Sequence, residues 1–94
     1  SNVPAQSLAL LNDPFIINQC KLMGQNAVIS KKPRTEVVNM LYETITGKIP
    51  SNEVQKKLLT FLDTQSNAQG GVSEHAWSDL AHVLINSKSF LFLN

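Results

Sequence analysis

Three side chains in one short stretch have the types and spacing from which chemistry could be built: His75, Asp79 and His82, at i, i+4 and i+7. On a helix these positions share one stripe, so a His-Asp-His row facing a metal ion is conceivable. A helical metal pair normally sets two histidines at i, i+4, which lets both rings reach one ion. Here the histidines are seven apart, and no outer hydrogen-bonding partner is evident to orient the rings. The row is expected to be a solvated polar face, and no metal ligand is assigned. Cys20 would be a nucleophile only if a histidine approached it in space. It shares helical spacing with Ile16 and Met23, a setting in which cysteine behaves as a small hydrophobe.

Other chemistries fare no better. Lys31, Lys32 and Arg34 form a basic knot, and with Lys56, Lys57 and the turn Gly47-Lys48-Ile49-Pro50 they invite a helix-turn-helix reading. Such a module needs base-reading side chains backed by a positive field. Glu43, Glu53 and Asp63 dilute that field, and the net charge is only +1, so no nucleic-acid partner is expected. Neither Asp13 with Glu36 nor Glu53 with Asp63 has a spacing that suggests acid–base work. Gly70-Gly71 lacks the preceding strand and the Lys-Ser/Thr of a phosphate-binding loop. No catalytic residue and no cofactor are assigned.

The elements that would position these residues read as helices. Pro4 precedes a short apolar run, residues 5–11, and Asn12-Asp13-Pro14 then restarts the chain with a capping residue and a proline suited to the first helical position. The helix from Pro14 towards Ile29 is expected to bury Phe15, Ile16, Cys20, Met23 and Ala27, with Gly24 weakening its middle. After Ser30-Lys31-Lys32-Pro33, a helix with Val37, Val38, Leu41, Tyr42 and Ile45 inward should end at Gly47, and Pro50 blocks its continuation. Ser51 is the expected cap of a helix burying Val54, Leu58, Leu59, Phe61 and Leu62. Residues 64–72 form the longest loop. Ser73 caps a last helix in which Trp77, Leu80, Ala81 and Leu84 share a face, with Asn86 expected to close it and Phe90 and Phe92 to fold back.

The fold expected is therefore all-α: residues 1–94 as one compact bundle of four to five short helices, with an apolar C-terminal tail packed back on the core. With 94 residues and 43% hydrophobic content, one modest core is affordable without metal or disulfide. The single cysteine excludes an internal disulfide. No apolar run approaches the roughly 20 residues of a membrane span.

Several stretches together resemble one family. Ser1 to Phe15 is similar to an "N-V-P-x-Q-x-L-x-L-L-N-x-P-F" segment, Gly47 to Pro50 to a "G-R-x-P" turn, and Trp77-Ser78-Asp79-Leu80, Leu84 to Ser87 and Phe90-Leu91-Phe92 to a closing "W-x-D-L … L-x-N-S-x-x-F-x-F/Y" signature. These resemble the planctomycete-type PSD domain, a domain of unknown function (number fifteen fifty-three) at the C-terminus of large exported proteins. The chain looks like the C-terminal helical part of that longer domain. Lys48 stands in place of an arginine, Lys88-Ser89 in place of Asn-Glu, and Val54 where an acid is usual. The resemblance implies a secreted or cell-envelope protein, in the periplasm or envelope, with an upstream cytochrome-c-like domain and a possible part in polysaccharide breakdown. The chain itself has no Cys-x-x-Cys-His haem motif. The resemblance carries over no catalytic residue; the matched Trp77, Phe90, Phe92, Gly47, Pro50, Asn12 and Asn86 all have structural roles. The expectation is a non-catalytic structural and interaction module. Its partners would be other domains of the same polypeptide or a separate protein.

Overall fold

The computed structural model describes residues 13–66 and 72–93, with side chains as far as residue 87 in the last segment. Within them the chain forms four helices and no strand: α1 (Pro14–Ser30), α2 (Arg34–Thr46), α3 (Asn52–Gln65) and α4 (Glu74–Leu93). The short helix expected over residues 5–11 and the role of Asn12 fall outside the described residues. The helices pack as a bundle, in which α4 meets each of the other three and its interface with α1 is the most extensive.

The helix boundaries follow from local chemistry. Asp13 is extended, and its Oδ1 accepts from the Phe15 N–H at 2.8 Å, capping α1 just ahead of Pro14. At the other end Lys31 takes a left-handed conformation, φ 55°, and its N–H reaches the Val28 carbonyl. Gly47, at φ 77°, closes α2 by donating to the Glu43 carbonyl at 2.8 Å, the conformation that glycine adopts without a Cβ penalty. Ser51 Oγ accepts from the Val54 N–H, and Ser73 Oγ from the Ala76 N–H, each at 3.2 Å. These two hydroxyls satisfy donors that the first turns of α3 and α4 leave free.

The core is built from the expected stripes of α2 and α4 and from part of that expected on α3, where Leu62 is buried and Val54 only half-buried. Val37, Val38, Leu41 and Ile45 are buried from α2, and Leu62 from α3, with Leu58, Leu59 and Phe61 packed partly against them. From α4 come Ala76, Trp77, Leu80, Ala81 and Leu84, none more than 4% exposed. Trp77 is thus an interior residue. Three side-chain pairs fasten the outer edges: Gln55 Nε2 to Asn39 Oδ1 at 2.9 Å, Arg34 to Asp63 at 2.6 Å, and Gln65 Nε2 to Asp79 Oδ2 at 3.0 Å.

Three expectations are corrected. Phe15 is 65% exposed, whereas Cys20, Gly24 and Ala27 are buried, so the inner face of α1 is rotated away from Phe15. Nor does Gly24 weaken the middle of α1 enough to break it: the helix runs unbroken to Ser30, and Gly24 lies against the backbone of α4 beside Glu74 and Ser78. Asn86 does not close α4. It lies inside the helix, which continues to Leu93, and its Nδ2 donates back to the His82 carbonyl at 2.7 Å. An asparagine amide can donate to the carbonyl four residues earlier as readily as it can cap. The placement of the Phe90 and Phe92 side chains falls outside the described residues.

Candidate functional site

The three residues singled out for chemistry come together along a groove of about 530 Å³ between α1 and α4. Cys20 and Lys21 line one side, and His75, Asp79 and His82 the other. The α4 residues line it because they lie one, one and two turns apart on the helix, beside the strip that Ala76, Leu80 and Ala81 bury. His75 Nε2 lies 3.7 Å from Asp79 Oδ2, with the imidazole almost wholly in solvent. The same carboxylate oxygen accepts the amide of Gln65, so Asp79 ties α3 to α4 as well as facing His75. Among the described residues no three His, Cys, Asp or Glu side chains are grouped so that they could hold a metal ion.

His82 differs from His75. It is half-buried, and its Nε2 is shut off from solvent without a hydrogen-bonding partner among the described residues. Asn86 Oδ1, one turn on, is in the same condition. A buried polar atom left unpaired costs about 1–3 kcal/mol; of these two residues, His82 lines the groove.

Cys20 is 1% exposed, and burial pushes its thiol above the ordinary cysteine value. Since the thiolate is the nucleophile, this shift works against reactivity. In the native chain Cys20 should react with a disulfide reagent far more slowly than in denaturant; equal rates would show that the helices do not shield it. The folded thiol holds its proton more tightly than the unfolded one, so its contribution to stability is complete below the unfolded value, near pH 8.5, and is lost as pH rises past it. Urea melts should therefore show a constant difference between the native chain and Cys20→Ala below the unfolded thiol value, and a native chain that loses ground to the variant as pH rises above it.

Three of the basic residues lie beside acids. Arg34 is paired with Asp63 and Lys32 lies 3.8 Å from Glu36, while Lys57 is 3.9 Å from Glu53. The Arg34–Asp63 contact joins α2 to α3 across 29 positions of sequence, so no local spacing could have signalled it. As exposed pairs these contribute at most about 1 kcal/mol each. A second, smaller and largely apolar hollow of about 240 Å³ lies between α1 and α2, bounded by Met23, Ala27, Val37, Met40 and Leu41.

The feature that sequence periodicity missed is on the outside of α1. Phe15, Leu22 and Ile29, spaced by seven, are 65%, 48% and 72% exposed. At about 100° per residue they lie nearly opposite the buried Cys20, Gly24 and Ala27. The signal was available: α1 has one charged residue, Lys21, in 17 positions, and a helix apolar on both sides is usually covered on both.

A family model described as PSD1, protein of unknown function (DUF1553), matches residues 1–62. That span includes α1, α2 and most of α3; the resemblance noted from Trp77 to Phe92 lies beyond it. No curated protein and no solved structure matches the chain.

Proposed function

Since the chain belongs to the PSD1 family of proteins of unknown function (DUF1553), we propose that it is a non-catalytic helical module whose work is contact. On this reading it completes a large exported, cytochrome-associated polypeptide at its C-terminal end. It joins other domains of that polypeptide or a separate protein, in the periplasm or cell envelope. The observation that carries the reading is the outward apolar line of Phe15, Leu22 and Ile29 on a helix already docked by its other face. Large apolar side chains aligned on one exposed face mark interaction surfaces more often than chance exposure does. The pairing of Arg34, Lys32 and Lys57 with acids supports a protein rather than a nucleic-acid partner. No described helix is long and apolar enough to cross a membrane.

Hydroxyl-radical footprinting tests this reading. Phe15, Leu22 and Ile29 should be modified readily in the dilute 94-residue chain and be protected at least several-fold in the full-length gene product. Equal modification in both would remove the contact role.

The alternative is a part in a cell-envelope enzyme system acting on polysaccharide. It is favoured by the groove, where His82 Nε2 lacks a partner near the Asp79 carboxylate. Glycan turnover by the full-length product that disappears in His82→Ala and Asp79→Asn, with the helical signal intact, would establish that alternative in place of the contact role.

A further inference from the structure

The outer band of α1 is patterned symmetrically about Leu22. Gln19 and Gln25 stand three residues to either side of it, Asn18 and Asn26 four, Phe15 and Ile29 seven. All lie within about 60° of Leu22 around the helix. Asn18, Gln25 and Asn26 are exposed and Gln19 is half-buried. The band holds no charge, for Lys21 falls to its side. Resting on the reading of this face as a contact surface, we propose that its partner is a second copy of the chain, the two α1 helices packing antiparallel about a two-fold axis beside Leu22.

The chemistry of the band selects this occupant. In a two-fold interface each contact is made twice, residue i on j and j on i. Antiparallel pairing sets Leu22 on its own copy and Phe15 on Ile29. It also sets Asn18 against Gln25, and Gln19 against Asn26. Every polar contact is then amide to amide, and each amide offers both a donor and an acceptor. A neutral band can face itself without repulsion, whereas a charged one would oppose like to like. A lipid surface is the poorer fit, because helices that lie in a bilayer interface are rich in lysine and arginine on their polar face, and α1 has one lysine between Pro14 and Ser30. A helix of 17 residues is about 25 Å long, and one face of it falls short of the roughly 800 Å² per partner of a standard interface. The dimer is accordingly at the weak, transient end of protein–protein contacts.

Sedimentation equilibrium on the 94-residue chain from about 10 μM to 1 mM should show monomer and dimer exchanging. Leu22→Lys should weaken association at least about tenfold, while Val83→Lys, at an exposed site of α4, leaves it unchanged. Phe15→Lys alone should dissociate the pair, and adding Ile29→Glu in the same chain should restore it. Antiparallel packing sets that lysine on that glutamate, whereas parallel packing sets lysine on lysine. All substituted side chains are exposed, and circular dichroism checks that each variant stays helical. A wild-type monomer at every concentration overturns the proposal, as does a Leu22→Lys dimer of unchanged strength or a double variant that remains dissociated. A monomer whose α1 is nonetheless protected in the full-length product would overturn only the self-pairing and leave the contact module standing.

Discussion

Replacing Trp77 by alanine should cost the fold about 3–5 kcal/mol, the range measured for deleting a large buried aromatic. The indole is 4% exposed in the first turns of α4, beside Ala76, Leu80 and Ala81, which are 0% exposed. It sits on the helix that packs against each of α1, α2 and α3. A cavity here therefore removes contacts from the helix against which the other three pack. Against a typical domain stability of about 5–15 kcal/mol, the loss removes from about a fifth to the whole of the stability. Urea melts followed by circular dichroism measure the loss, and Trp77→Phe, which keeps most of the volume, should recover the larger part of it. A loss below about 1 kcal/mol for the alanine variant would show that the indole is peripheral, and the docking of α1 on α4 would then need another explanation.

The contrast between what was legible and what was not falls along a physical line. Boundaries set by a few adjacent residues could be read directly: Asp13 before Pro14, Gly47 at the end of α2, Ser51 and Ser73 as caps. Each is a local hydrogen bond or a dihedral preference, which neighbouring residues decide. The buried stripes of α2 and α4 were legible because their opposite faces are polar or exposed. On α1 the same method assigned Phe15 to the core, since apolar residues line both sides and periodicity cannot say which side turns inward. What decided it was size. Cys20, Gly24 and Ala27 are the small residues, so their side admits the closest neighbour. The candidate site divides in the same way. The His75–Asp79 pair is a one-turn contact, visible as spacing, whereas the grip of Gln65 on Asp79 and the isolation of His82 Nε2 depend on how α1 and α3 close over α4.

That rotation of α1 leads to the second large effect: Gly24→Ala should destabilise the chain by about 2 kcal/mol, although alanine is the better helix former by about 1 kcal/mol. A Cβ at this position would collide with the Glu74 carbonyl oxygen and lie 3.0 Å from the Ser78 nitrogen and 3.1 Å from its Cβ. The first two atoms are backbone and cannot rotate aside, so α1 and α4 must separate along their most extensive interface. Overpacking costs about 1–3 kcal/mol when side chains can yield and more when they cannot, which outweighs the propensity gain. For a chain of this length the expected fall in Tm is about 8–16 °C. Gly24→Val should fare worse, because its branched side chain loses helix propensity as well as space. An alanine variant as stable as the native chain would mean that α1 and α4 stand further apart than the structure places them. The consequence reaches the outer face too: Gly24 lies across the helix from Leu22, so pushing α1 off α4 loosens the element that presents Phe15, Leu22 and Ile29. The glycine thus sets both the seating of the helix and the rigidity with which its exposed apolar line is offered to a partner.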